Sequence, residues 1–460
     1  MAAPAVTRPV LTPGLPRTGE WLKTGLLAAL GVAGLAIFLV WDPPDYRPLG
    51  TVQAARFLLG ALTYLAAARA VLYLKSAGLR AMLFAVINVA AIGLFFDMSD
   101  GRRRFLFLLA AYLSMVSFHY VMMRLFARRA GWWPWMAFAS PIAALVVLRY
   151  AAALFDPVFA LVPGILTGPL AAFFIGLSYM AFRLSHLVLE VRNGVVARPG
   201  FWQYLGFAFF LPTLVVGPIN PYSNHAESLG APDRTATPIG RCLLRILMGA
   251  AKYQFLGNIF NQLSYAGLLL DGYPHSPVDL FVAAVAYHLY LYCNFSGFCD
   301  MAIGGAGLLG IQVKENFRNP LGARNVQDYW TRWHITLSTY MRDVVFSPLS
   351  KFLVVRLGPK RANHAIAAVI LFVFLLVGIW HGTGANFAVY GALHGLGVAS
   401  VHYYNVWLKT RLGKQRYKAY HESRLVHAVA VAMTFLFVTA SLFFFANDFE
   451  TARQILHAIQ

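Results

Sequence analysis

Acidic side chains are scarce in this sequence: 18 Asp and Glu stand against 38 Lys and Arg among 460 residues, a formal charge of +20. Charged residues make up only 12% of the chain while 59% is hydrophobic, which excludes an ordinary soluble globule. Cysteine is nearly absent. Cys242, Cys293 and Cys299 form no CxxC pair, and an odd count of three gives no disulfide framework, so packed thiols are expected. HExxH, tightly spaced metal ligands and a GxSxG elbow are all missing, so neither a metal site nor an elbow serine is expected. The residues before 24 have no apolar h-region and carry Pro9, Pro13 and Pro16, unlike a cleavable signal. No soluble domain, long linker or repeat stands out.

What is present is apolar sequence in long runs. Plausible spans are 24–41, 52–74, 81–97, 104–126, 132–150, 157–190, 201–219, 240–270, 278–293, 299–313, 363–381, 385–407 and 425–446. Two of them, 157–190 and 240–270, exceed one simple crossing. Backbone groups in lipid must be satisfied internally, and these runs lack the alternation of a barrel. The expected class is therefore an all-α polytopic membrane protein, with roughly 11–14 transmembrane or re-entrant helices. A cytoplasmic N-terminal segment, 1–23, precedes a single membrane domain, 24–460.

The positive charge does not point to nucleic acid. It lies between apolar runs, where loops facing the cytoplasm and its anionic lipids carry it. KTRLGKQRYKAYHESR (409–424) and the stretch 314–361 are the clearest cases. Arg102–Arg104 and Arg128–Arg129 flank one apolar run, so the same rule puts both on one side while a crossing separates them; the topology of 75–130 stays open.

Two Trp-His pairs stand out. Trp333-His334 lies in YWTRWHITLSTYMRDVVF (329–346), and Trp380-His381 closes AIAAVILFVFLLVGIWHGTG (365–384). Ionisable groups at membrane depth are costly and mark functional sites, and imidazole moves protons near neutral pH. On a helix, Trp330, His334, Ser338 and Arg342 share one face, with Trp333, Leu337 and Met341 beside it. That stretch reads either as an interfacial amphipathic helix or as a site where Arg318, Arg324 and Arg332 receive an anionic donor. His381 is followed by Gly382-Thr383-Gly384, which leaves room beside the imidazole; a pocket or a satisfied structural His both fit. His394 is ambiguous, and His119 and His288 suit hydrogen bonds between helices. Asn294, Ser296 and Asp300 interrupt an apolar neighbourhood that Gly297 loosens. Asp300 reads as a site wall or as an ion pair with an Arg of the following basic stretch. The formal GxGxxG at Gly305, Gly307 and Gly310 has no βαβ context; Ala302, Ala306 and Gly310 read as a small-residue packing stripe.

The motifs FLPTLVVGPI (210–219), NFSGFCDMAIG (294–304), ENFRNP (315–320), DYWTRWHITLSTYMRD (328–343), GIWHGTG (378–384) and VYGALHG (389–395) strongly resemble the membrane-bound O-acyltransferase (MBOAT) family. The nearest branch holds alginate O-acetyltransferase-like and D-alanine-export-like proteins. The resemblance covers about 200–405; the first 180 residues match only as apolar spans. Asn294 stands where that branch commonly has Asp, and Cys299 where it has Ser or Thr.

The resemblance implies helices around a central funnel and transfer of an acyl group from a thioester to a hydroxyl or amine. His381 matches the family's catalytic histidine and His334 a second important polar position. The expected chemistry is His381 as general base, with His334 and Arg332 or Asn319 orienting the thioester or stabilising developing charge. Trp333, Trp380, Ser338 and Asp300 complete the expected substrate-binding set, with no metal and no bound cofactor. Topology separates the two histidines, His334 on the cytoplasm-facing stretch and His381 at the end of a span leaving it. The expected activity is O-acyl transfer in a bacterial inner membrane, from acetyl-CoA or an acyl-carrier thioester to a periplasmic polysaccharide or a partner acetyltransferase. D-alanyl transfer from a carrier protein toward teichoic acid is the first alternative; a non-catalytic transporter of acyl groups or polysaccharide is the second.

Overall fold

The computed structural model describes residues 51–95, 102–150, 176–230, 238–270 and 272–459. The expected N-terminal segment 1–23, the span at 24–41 and the first part of 157–190 lie outside them. Among the described residues the regular structure is helical, and the chain forms two compact units, the first from residues up to Leu244 plus Ala302–Val313, the second from Arg245–Met301 and Lys314 onward.

In the first unit, α1 (Thr51–Val71), α2 (Ala77–Ala90), α3 (Arg102–Phe126), α4 (Trp133–Tyr150) and α5 (Leu177–Arg192) precede the short helices α6 (Phe201–Ala208) and α7 (Tyr222–Gly230). Its core joins Tyr64, Ala68 and Leu72 to Phe84, Phe210 and Ala306. Two buried polar side chains, Asn88 and Arg183, tie the helices together. Asn88 accepts from the Tyr64 hydroxyl at 2.9 Å and from Leu211 N at 3.0 Å, and donates to Phe84 O at 2.8 Å. Arg183 donates to Thr213 Oγ1 and Ala208 O, both at 2.9 Å, with its guanidinium over the Phe207 ring. The FLPT sequence thus serves as an anchor for α5. The run 201–219 makes no single span: α6 stops at Ala208 and a 3₁₀ turn, Leu211–Thr213, follows.

The second unit begins within α8 (Ile239–Ala250), continues through a π-helical turn (Ala251–Leu256), α9 (Gly257–Gln262) and α10 (Tyr265–Leu268), and enters α11 (Pro277–Leu308). The run 240–270, too long for one simple crossing, breaks into these short pieces. One expectation changes here: 278–293 and 299–313 merge into one helix of 32 residues. Gly297 does not loosen that helix. A Cβ on Gly297 would lie 2.6 Å from the Gly249 carbonyl oxygen, and one on Gly249 equally close to that of Gly297, so both glycines permit backbone contact. Gly310 is no part of the packing stripe either. It ends α11 in the left-handed conformation (φ 72°), with Ile311 N bonded to Ala306 O and Gly310 N to Gly307 O, a Schellman cap.

Then come α12 (Val326–Trp330), α13 (Ile335–Met341), a second π-helical turn (Arg342–Phe346), α14 (Ser347–Leu357), α15 (Ala362–His381), α16 (Ala385–Glu422), α17 (Arg424–Ala446) and α18 (Phe449–Ala458). The helix α16 breaks at Gly413, whose φ of 67° suits only glycine readily. Among the described residues, four helices are long and apolar enough to cross a membrane: Leu106–Phe126, Pro277–Leu308, Pro359–His381 and Arg424–Ala446. Cys242, Cys293 and Cys299 are buried thiols outside any disulfide.

Candidate active site

The site grows from the hairpin of α15 and α16. Their three-residue connection, Gly382-Thr383-Gly384, folds tightly because the Phe387 ring fills the space a Cβ on Gly382 would need. Gly378 and Gly391 bring the two backbones into contact one turn further in. His381, the last residue of α15, is thereby held against Trp380 (ring centroids 4.6 Å), Phe445 (4.9 Å) and Tyr390 (6.2 Å).

His334 arrives from a different element. The four-residue face Trp330–His334–Ser338–Arg342 assumed one helix, but α12 ends at Trp330 and α13 begins at Ile335. His334 lies in the break with φ 45° and ψ 50°, left-handed. Such a backbone is strained for a residue with a Cβ, and strain of this kind concentrates at functional sites. Trp330, Ser338 and Arg342 do share a wall, lining a cavity of about 420 Å³. His334 leaves it and packs edge-on to Phe295 at 4.8 Å.

What holds His334 is Asn316, which is fully buried. The Asn316 side-chain oxygen lies 3.1 Å from Thr336 N, 2.9 Å from Thr336 Oγ1 and 3.2 Å from His334 Nδ1. A backbone N–H only donates, so that amide atom is the oxygen, and His334 Nδ1 must carry the proton it donates. The neutral ring therefore has its lone pair at Nε2. Burial, aided by His381 nearby, pushes the His334 pKa down to about 3, so the ring is neutral at physiological pH.

The two Trp-His pairs converge. The Trp380 ring lies 6.3 Å from that of His334 and 4.6 Å from that of His381. The separation expected from topology is not what the fold builds. The 314–336 segment folds back to α15, bringing His334 to Trp380.

The other expected residues distribute unevenly. Trp333 is buried against Phe317 (5.0 Å) and Tyr329 (5.6 Å). Ser338 lines the cavity, whose apolar wall is α15 from Ile370 to Val377 and whose cations are Arg318 and Arg342. Arg332 pairs with Asp328 at 2.8 Å, and Asn319 occupies a left-handed turn (φ 46°) before Pro320; neither is the residue that holds His334 through Nδ1, which is Asn316. Asp300 is an ion-pair residue, but with Arg245 (2.9 Å) and Lys252 from the preceding helical segment rather than with the basic stretch after it. Arg245 also clamps Glu315 at 2.6 Å through two nitrogens.

His394 is resolved. Trp330 Nε1 can only donate, so His394 Nδ1 accepts from it at 3.1 Å, and Nε2–H donates to Ser441 Oγ at 2.9 Å. With the Tyr390 ring tilted against it at 4.5 Å, this fully bonded imidazole braces the wall behind His381. The expected bonds between helices are present, His119 to Ser140 at 3.2 Å and His288 to Thr439 at 2.9 Å. Asn316 and Tyr390 were missed as contributors. Both lie in the motifs ENFRNP and VYGALHG, but residue type alone did not distinguish Asn316 from Asn319.

Residues 79–443 match the family described as MBOAT, membrane-bound O-acyltransferase. The chain is 26% identical over 279 residues to the teichoic acid D-alanyltransferase of Bacillus subtilis, covering 60% of this chain and 69% of that protein. It is 31% identical over 268 residues to the peptidoglycan O-acetyltransferase of Helicobacter pylori, 56% of this chain and 46% of the other. With the probable alginate O-acetylase AlgI of Pseudomonas syringae it shares 28% over 227 residues, 49% of this chain and 42% of the other. The match to the family spans far more than half of the sequence, and the all-α architecture with its apolar helices agrees with it. The chain belongs to the MBOAT family and is a membrane acyltransferase, which removes the reading of a non-catalytic transporter.

Proposed function

We propose that this protein moves a small acyl group, acetyl foremost, from a thioester donor reached from the cytoplasm to a hydroxyl of an extracytoplasmic polysaccharide or of a partner acetyltransferase, within a bacterial inner membrane. The observation that carries the reading is the convergence of His334 and His381 on Trp380; a cavity lined by other residues of α13 and α15, though by neither histidine, has Arg318 and Arg342 in its wall. A thioester is already activated, so the protein has to deprotonate the hydroxyl and hold the reacting carbonyl. His381 takes the hydroxyl proton, the oxygen attacks the thioester carbon, the C–S bond breaks, and the thiolate leaves and is reprotonated. His334, neutral and bonded through Nδ1–H, offers a lone pair rather than a charge. It orients a hydrogen-bond donor of the substrates; stabilising negative charge does not suit it. The cavity cations suit the phosphates of coenzyme A or of a phosphopantetheinyl carrier.

Purified protein with labelled acetyl-CoA tests this. His381→Ala should lose about 10²–10⁴-fold in transfer, the usual worth of general-base catalysis, while still inserting in membranes. Wild-type transfer by that variant would overturn the assignment. One observation favours D-alanyl transfer as a second reading: the teichoic acid D-alanyltransferase of Bacillus subtilis is matched over 69% of its length. Transfer from a carrier-bound D-alanyl thioester, with none from acetyl-CoA, would select it.

A further inference from the structure

We propose that Asn316 is a positioning residue for acyl transfer, fixing His334 as the tautomer protonated at Nδ1 and so presenting the Nε2 lone pair to the reacting groups. The inference rests on the reading of His334 as part of the transfer site. Three features of Asn316 carry it. Its side-chain oxygen gathers donors from His334 Nδ1, Thr336 N and Thr336 Oγ1 within 3.2 Å. Its side-chain nitrogen donates to Cys299 Sγ at 3.3 Å, which locks the amide against rotation. Its own carbonyl accepts from Ile335 N at 3.0 Å, while Arg318 N donates to Arg332 O at 2.9 Å, so the left-handed backbone of His334 is clamped on both sides. One fully buried residue thus sets the ring's tautomer, its rotation and the strained backbone that aims it.

The choice of amide over carboxylate has a chemical consequence. A carboxylate facing Nδ1 favours the imidazolium, which has N–H on both nitrogens and no lone pair to offer. The titratable groups facing His334 from packed elements are His381 of α15 and, behind Asn316, Cys299 of α11; Arg332 and Asp328 are paired with each other. None is an anion that offsets a proton on His334.

The test is a double-mutant cycle with a pH profile, on full-length protein in detergent. Asn316→Ala should lower turnover about tenfold or more, the scale of a lost buried hydrogen bond, and should add little once His334→Ala is present. Asn316→Asp keeps the acceptor oxygens. It should retain turnover at high pH while the acid limb of the kcat profile moves up by about 1–3 pH units, as expected for a histidine beside a carboxylate. Should Asn316→Ala fail to fold, the pH profile of Asn316→Asp carries the test. Unchanged turnover and unchanged acid limb in the Asn316 variants, with His334→Ala impaired, would sink this proposal alone. An equal loss from Asn316→Ala with and without His334 would make Asn316 merely structural. Wild-type turnover in His334→Ala would bring down the reading of the site and this inference together.

Discussion

His225 shows at the scale of one residue how strongly burial acts in this chain. It is 1% exposed, neither ring nitrogen is hydrogen-bonded, and the rings of Phe207 and Phe210 lie 5.3 and 5.0 Å away. Burial, with Arg183 nearby, lowers its pKa from 6.5 to about 3. Between those values the unfolded chain binds a proton that the folded one refuses, so stability is present above pH 6.5 and falls as pH drops toward 3. His225→Phe should therefore flatten the acid side of a thermal-unfolding profile in detergent. At pH 7 it should raise stability by about 1 kcal/mol, because no buried polar atoms are then left unsatisfied. A variant less stable than wild type and equally acid-sensitive would contradict this account. His334, whose pKa is also pushed down, differs in that Asn316 answers its Nδ1.

At the scale of elements, the α15–α16 hairpin depends on glycines that admit backbone contact. A methyl on Gly391 would overlap the Phe374 carbonyl and come within 3.2 Å of the Gly378 Cα. Gly391→Ala should destabilise the protein by about 1–3 kcal/mol, the cost of overpacking, and reduce transfer by displacing His381. Gly305→Ala in α11 is the control: its Cβ meets nothing within 4 Å, so helix propensity should leave stability unchanged or higher. Thermal unfolding of both variants decides, and equal losses would rule out the close-approach explanation. Helix periodicity was informative for α15 and α17, whose bounds fall within one residue of the expected 363–381 and 425–446. It failed where His334 interrupts α12 and α13. The break arises from the main-chain clamp by Asn316 and Arg318, contacts made by residues 16 positions or more away.

For the whole molecule, the distribution of charge sets orientation. The positive-inside rule predicts that 314–361 and 409–424 face the cytoplasm. Single cysteines at Lys351→Cys and Lys414→Cys, in a background without the native thiols, should both label from the cytoplasmic face of inverted vesicles and not from intact cells. Labelling of either from outside would overturn that orientation.

Class was legible without coordinates because it follows from sums over the chain. Apolar runs of membrane length and basic loops between them leave few architectures, and six ordered motifs name the family. His334 and His381 stand out as candidates in the sequence because imidazole beside tryptophan is rare and costly in such a setting. Their convergence on one ring was not, nor was the choice of Asn316 over Asn319 and Arg332, nor the partners of Asp300. Each of these rests on contacts between residues distant in sequence or on a backbone forced out of its local preference. Local composition carries the free energy of entering a membrane; the tautomer, strain and pairing of buried polar groups are decided only by what tertiary packing sets against them.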